Sequence, residues 1–255
     1  MYLTRRWKIL SLIFGKTVGM ASTGYFYQAK KTEEALTISI TSTIGQVAFP
    51  ILSKRNNDYS ILKSESDSVF KTIILLFTPI LLLISVYADE IMVLLYGENW
   101  LDAGIYMRLL MYAAVFMVME NLNRTFIKSL GKGQPILYIS LIKRSVGIMF
   151  LFVMLFVNEK YLVQTYVFTA FLGFLINQIA FSILTNTSFF DSVIQTIKLL
   201  IPNVFLLVLL SLVYSAFESL LTKICITGLI SLIYYLSVLY YLGYRISTLK
   251  KILKK

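Results

Sequence analysis

The chain has 255 residues, 58% of them hydrophobic and only 15% charged, which is too apolar for a soluble domain, where about a quarter of residues are charged. It contains no histidine, so the Ser-His-Asp and Cys-His devices and the usual metal ligands are excluded, and neither a metal nor a cofactor is expected. The net charge of +11 would point to nucleic acid in a soluble protein, but here the cations gather at the ends of apolar runs, where they serve loops and anionic lipid surfaces. The expected fold is all-α: a polytopic membrane bundle of about eight transmembrane helices.

In chain order the apolar runs place spans at about 7–26, 34–52, 69–87, 103–122, 135–157, 161–184, 196–216 and 219–242. Residues 1–190 form one expected unit, and 191–255 an added helix pair with a basic tail. The first span carries Lys16 midway, between Gly15 and Gly19. A lysine at mid-membrane depth costs a few kcal/mol and normally faces a cavity or a partner.

The second span is half polar. At about 100° per residue Ser39, Ser42, Thr43, Gln46 and Ser53 share one face, opposite Ile40, Ile44, Val47 and Ile51. The polar face either packs against another helix or lines a water-filled cavity. Between these two spans the charges around Lys30 and Lys31 read as an outer loop.

"ADEIMVLLYGENWLDAG" joins the third and fourth spans as a short interfacial helix ending at Gly97, with Tyr87, Tyr96 and Trp100 at the interface. Asp89, Glu90, Glu98 and Asp102 are expected to face water. In the fourth span Glu120 is the one acid, with Arg124 at i+4: a helix-surface ion pair, or a candidate for ion coupling. Lys71, Lys143 and Lys198 lie near enough to span ends to snorkel. Asn177 and Gln178 bond across helices or face a cavity. Cys225 lies in an apolar run and reads as a buried structural thiol.

Eight spans put both termini on one side. That side collects fourteen Lys and Arg residues, against Lys30, Lys31, Lys160 and Lys223 on the other, so the termini are expected in the cytoplasm.

Several stretches resemble the polysaccharide flippases of bacterial O-antigen, capsule and exopolysaccharide clusters, within the multidrug/oligosaccharidyl-lipid/polysaccharide exporter superfamily. "GYFYQAKKTEEALTISITSTIGQVAFPILSK" is similar to their tyrosine motif, amphipathic helix and "FP-x-xSK" ending, with Phe26 where the motif has its middle tyrosine. "DEIMVLLYGENWLDAG" is similar to their acidic connector, "FIKSLGKGQP" to their "LQALGR"-type loop, and Gly15–Lys16 to a pair ahead of the tyrosine motif. The resemblance covers most of the chain and weakens beyond Phe190.

It implies two helical lobes around a central cavity in the bacterial inner membrane. The implied cargo is an undecaprenyl-diphosphate-linked oligosaccharide carried across by alternating access, for lipopolysaccharide, capsule or exopolysaccharide synthesis. Lys16, Ser39, Ser42, Thr43 and Gln46 would line the cavity wall. Such flippases are about twice this length, so the chain reads as the C-terminal half. Its expected partners are the lipid-linked oligosaccharide, membrane lipids, and a missing N-terminal lobe or other polysaccharide-assembly proteins, with no nucleic acid. A cation-coupled drug antiporter of the same fold and a non-transporting remnant are the alternatives. A membrane glycosyltransferase fits poorly, for want of a large loop with catalytic acids.

Overall fold

The computed structural model describes residues 19–53, 59–131, 133–157 and 162–242. Among these residues all regular structure is helical: α1 (Met20–Ser53), α2 (Tyr59–Val86), α3 (Ala88–Tyr96), α4 (Ala103–Ser129), α5 (Gly133–Val157), α6 (Leu162–Thr185), α7 (Phe189–Ala216) and α8 (Leu220–Tyr241), with one 3₁₀ turn at Glu98–Trp100. Five segments are long and apolar enough to cross a bilayer: Ser66–Val86, Ala103–Ser129, Val163–Thr185, Phe189–Ala216 and Leu220–Tyr241. The protein is a polytopic helical membrane bundle.

Helix α1 corrects the sequence expectation. Residues around Lys30 and Lys31 form no loop; one helix of 34 residues runs through them. Its local cause is plain. No Gly or Pro interrupts the chain between Gly24 and Gly45, and Gln, Ala, Lys and Glu are strong helix formers. The charges that suggested a loop are spaced i, i+3 and i, i+4 and satisfy one another along the helix. The helix starts after Gly19, whose φ of +95° lies in the left-handed region. Most of the expected first span, Lys16 included, lies outside the described residues.

The interfacial helix is as expected. α3 closes at Gly97, with φ +95°, and its amide donates to the Val93 carbonyl at 2.8 Å. Two of the four connector acids face away from the protein, Glu98 and Asp102. The other two do not. Arg108 of α4 donates to the Asp89 carboxylate at 2.8 Å and to the Ser85 carbonyl at 3.2 Å, and Tyr214 of α7 donates to Glu90. The connector is thus clamped to three helices. Close approach of α3 and α4 depends on Gly104, since a Cβ there would sit 2.7 Å from the Asp89 Cα.

At the centre stands α4. Met107, Leu110, Met111, Ala114, Met119, Leu122 and Ile127 have no exposed surface, because α1, α2, α3 and α6 pack around it. α7 and α8 lie at the margin. They join α2 through a second small core of Val86, Leu206 and Leu210, and most of their remaining surface is free for lipid. Cys225 belongs to that free surface; it is exposed, not buried. Pro79 and Pro202 sit inside α2 and α7 without ending either helix.

Candidate functional site

Polar groups in this bundle are concentrated in four places. On α1 itself, Ser39, Ser42, Thr43 and Gln46 all lie on a face that no other described helix covers. Their hydroxyls bond back into the helix: Ser39 to the Ala35 carbonyl at 2.8 Å, Ser42 and Thr43 to the Ser39 carbonyl at 3.0 and 2.9 Å. On the opposite face Ile44 is buried at 2% exposure and Ile40 packs against the core. Val47, Ile51 and Ser53 present side chains outside the described set.

A second group lies well inside α1, around Lys30 and Lys31, whose charges point to a loop. Lys30 is 5% exposed and Glu33 only 1%, and the two form an ion pair. The Lys30 ammonium also donates to the Tyr166 hydroxyl of α6 at 2.7 Å, and Thr37 donates to the other Glu33 oxygen at 2.5 Å. Thr32 meets the Tyr96 hydroxyl at 2.8 Å, so this cluster lies beside α3.

The third group centres on Glu120, 4% exposed. Arg124 lies 3.6 Å away at i+4, as the spacing suggests. The closer partner is Lys143 of α5, which does not snorkel but crosses to α4 and donates to Glu120. Arg124 also donates to Ser140 of α5 at 3.2 Å. Room for the pair comes from a third helix: a Cβ on Gly173 of α6 would lie 2.7 Å from Lys143 Cε and 2.9 Å from Glu120 Oε2.

A fourth group lies at the bundle end opposite α3. There Asn123 of α4 donates to Gln178 of α6 at 2.8 Å, which answers the question left open for Gln178. Both residues line a cavity of about 440 Å³ bounded by α2, α4, α6, α7 and α8. Lys71 and Lys198 reach the same cavity, and Lys71 sits 4.2 Å above the Tyr241 ring. No group of three or more metal-ligating side chains occurs among the described residues.

Two comparisons bear on what these groups do. Residues 2–104 match the model of a family described as "Polysaccharide biosynthesis protein". The chain is also 22% identical over 127 residues to the teichuronic acid biosynthesis protein TuaB of Bacillus subtilis (strain 168), a match covering 50% of this chain and 26% of that protein. The chain is similar to polysaccharide biosynthesis proteins. The family match takes in α1, α2 and α3 with the α1 polar face, and the match to the curated relative spans about a quarter of that protein. No solved structure matches the chain.

Proposed function

We propose that the chain forms part of a flippase that carries an undecaprenyl-diphosphate-linked oligosaccharide across the bacterial inner membrane, with both termini in the cytoplasm. The carrying observation is the uncovered polar face of α1. Four polar side chains at helical spacing stand exposed on one side of a membrane bundle, covered by no other helix among the described residues, and they lie within the segment matched by the polysaccharide family. Lipid would not favour such a face, whereas water between two lobes would. In this reading Ser39, Ser42, Thr43 and Gln46, with Lys16 ahead of them, form one wall of the translocation cavity. A second lobe, or another polysaccharide-assembly protein, supplies the other wall.

Glu120 is assigned to ion coupling. Its carboxylate already holds Lys143 and Arg124, so a coupling cation acts by competing with Lys143.

The test is export of surface polysaccharide in a strain lacking its own flippase, complemented with the full-length context. Lys16→Ala and a Ser39→Leu/Gln46→Leu double variant should abolish export while inserting normally. Unchanged export would remove the cavity wall from these residues. With Glu120→Gln, export should lose its dependence on the ion gradient; export that is still gradient-driven would free Glu120 of the role.

A further inference from the structure

The cavity opposite α3 is built differently from the α1 face. Its walls come from five helices, and it holds two lysines, Lys71 and Lys198, against one acid, Asp67. Asp67 is already engaged with a partner of its own. The Lys71 ammonium is steadied over the Tyr241 ring, so less freedom is lost when it meets an anion.

Beside the lysines stands the Asn123–Gln178 pair, 2% and 4% exposed. One amide hydrogen bond joins them. Whichever way the two amides are turned, that bond leaves one amide NH₂ and one amide oxygen of these two cavity-lining residues outside it. The volume falls within the range of roughly 300–1,000 Å³ that takes a small ligand. The location is the bundle end that the Lys and Arg distribution assigns to the cytoplasm, the side on which anionic lipid headgroups gather. Basic pockets between helices at that level are suited to phosphate headgroups, and ammonium groups bind phosphate as point charges.

We propose that this cavity binds the phosphate headgroup of an anionic glycerophospholipid of the cytoplasmic leaflet, held by Lys71 and Lys198, with the Asn123–Gln178 amides bonding to its phosphate or glycerol oxygens. The ligand is a resident of the bilayer and not the cargo, so the assignment does not depend on the transport reading.

The full chain, purified in a zwitterionic detergent, is given mixed micelles of phosphatidylglycerol or phosphatidylcholine. Bound lipid is counted by native mass spectrometry, and the unfolding temperature is followed by intrinsic fluorescence. Phosphatidylglycerol should be retained and should raise the unfolding temperature; phosphatidylcholine should do neither. The Lys71→Gln/Lys198→Gln variant should lower retention by about tenfold or more, the loss expected from two charge-assisted contacts. Lys71→Arg/Lys198→Arg should keep it, which separates lost charge from lost folding. Lys128→Gln/Arg144→Gln removes the same charge from exposed positions outside the cavity and should leave retention unchanged. Equal loss in both Gln pairs would mean diffuse surface attraction and overturn the site. Displacement of the lipid by millimolar inorganic phosphate or diphosphate would assign the cavity to a soluble phosphate and overturn the lipid reading.

Discussion

Two ion pairs built on buried acids, Lys30–Glu33 and Glu120–Lys143, solve the same problem by opposite means. The first is local. Both partners lie on α1 three residues apart, so forming the helix brings them together, and α6 adds only the Tyr166 hydroxyl. The second is assembled from three helices: the acid from α4, the lysine from α5, and a side-chain-free position at Gly173 of α6. A local pair survives as long as its helix does. An assembled pair exists only while three helices keep their places, so it is the one able to report, or respond to, a rearrangement of the bundle.

The largest effect that would sharpen this contrast comes from stranding one charge. Lys143→Met leaves Glu120 with only Arg124, and Lys30→Met leaves Glu33 buried with the Thr37 hydroxyl. Lys30→Met should destabilise by about 3–5 kcal/mol, the range for breaking a buried pair from one side; Lys143→Met should cost less, because Arg124 still faces Glu120 and Lys143 is itself 26% exposed. The measurement is chemical or thermal unfolding in detergent. Removing both partners should separate the two. Lys30→Met/Glu33→Leu is expected to be close to neutral, since apolar replacements of a buried pair often are. Glu120→Leu/Lys143→Met should recover less, because Arg124 then loses its acid. Equal recovery would break the comparison.

A smaller loss is expected from Gly173→Ala. The new methyl meets Lys143 Cε at 2.7 Å, the far part of a flexible side chain, so overpacking of about 1–3 kcal/mol is expected. The same change at Gly45 of α1, where nothing lies within 4 Å of the added methyl, should be neutral or slightly stabilising, by up to about 1 kcal/mol, through helix propensity. Smallest of all is Ser39→Ala with Thr43→Ala on the uncovered face. It should shift stability by no more than about 0.5 kcal/mol, as surface changes do, and a larger loss would mean that the face is covered by protein.

Much of the architecture was legible in the sequence because apolar length is a strong signal: the spans expected from 103 onward each coincide with a helix, and Gly97 marked the end of α3. The errors have physical causes. Lys30 and Lys31 read as a loop because they are charged, although the i, i+3 and i, i+4 spacing of Lys30 to Glu33 and Glu34 and the lack of any Gly or Pro nearby were signals for a helix. Glu120–Lys143 and Asn123–Gln178 were not legible, being 23 and 55 residues apart on different helices. Cys225 was misplaced because an apolar run in a membrane helix does not distinguish a protein-facing side from a lipid-facing one; lipid tails are as apolar as leucine. The polar face of α1 was legible as a face, since helical periodicity alone defines it. What covers it was not.

At 34 residues α1 is roughly 51 Å long, well beyond the hydrocarbon thickness of about 30 Å. A loop at Lys30–Lys31 would have made a hinge there, letting the segments on either side turn independently. An unbroken helix is a shaft. A twist about its axis at Thr32, which is tied to the connector through Tyr96, turns Ser39, Ser42 and Gln46 with it, and the polar face is re-aimed without a single backbone hydrogen bond being broken.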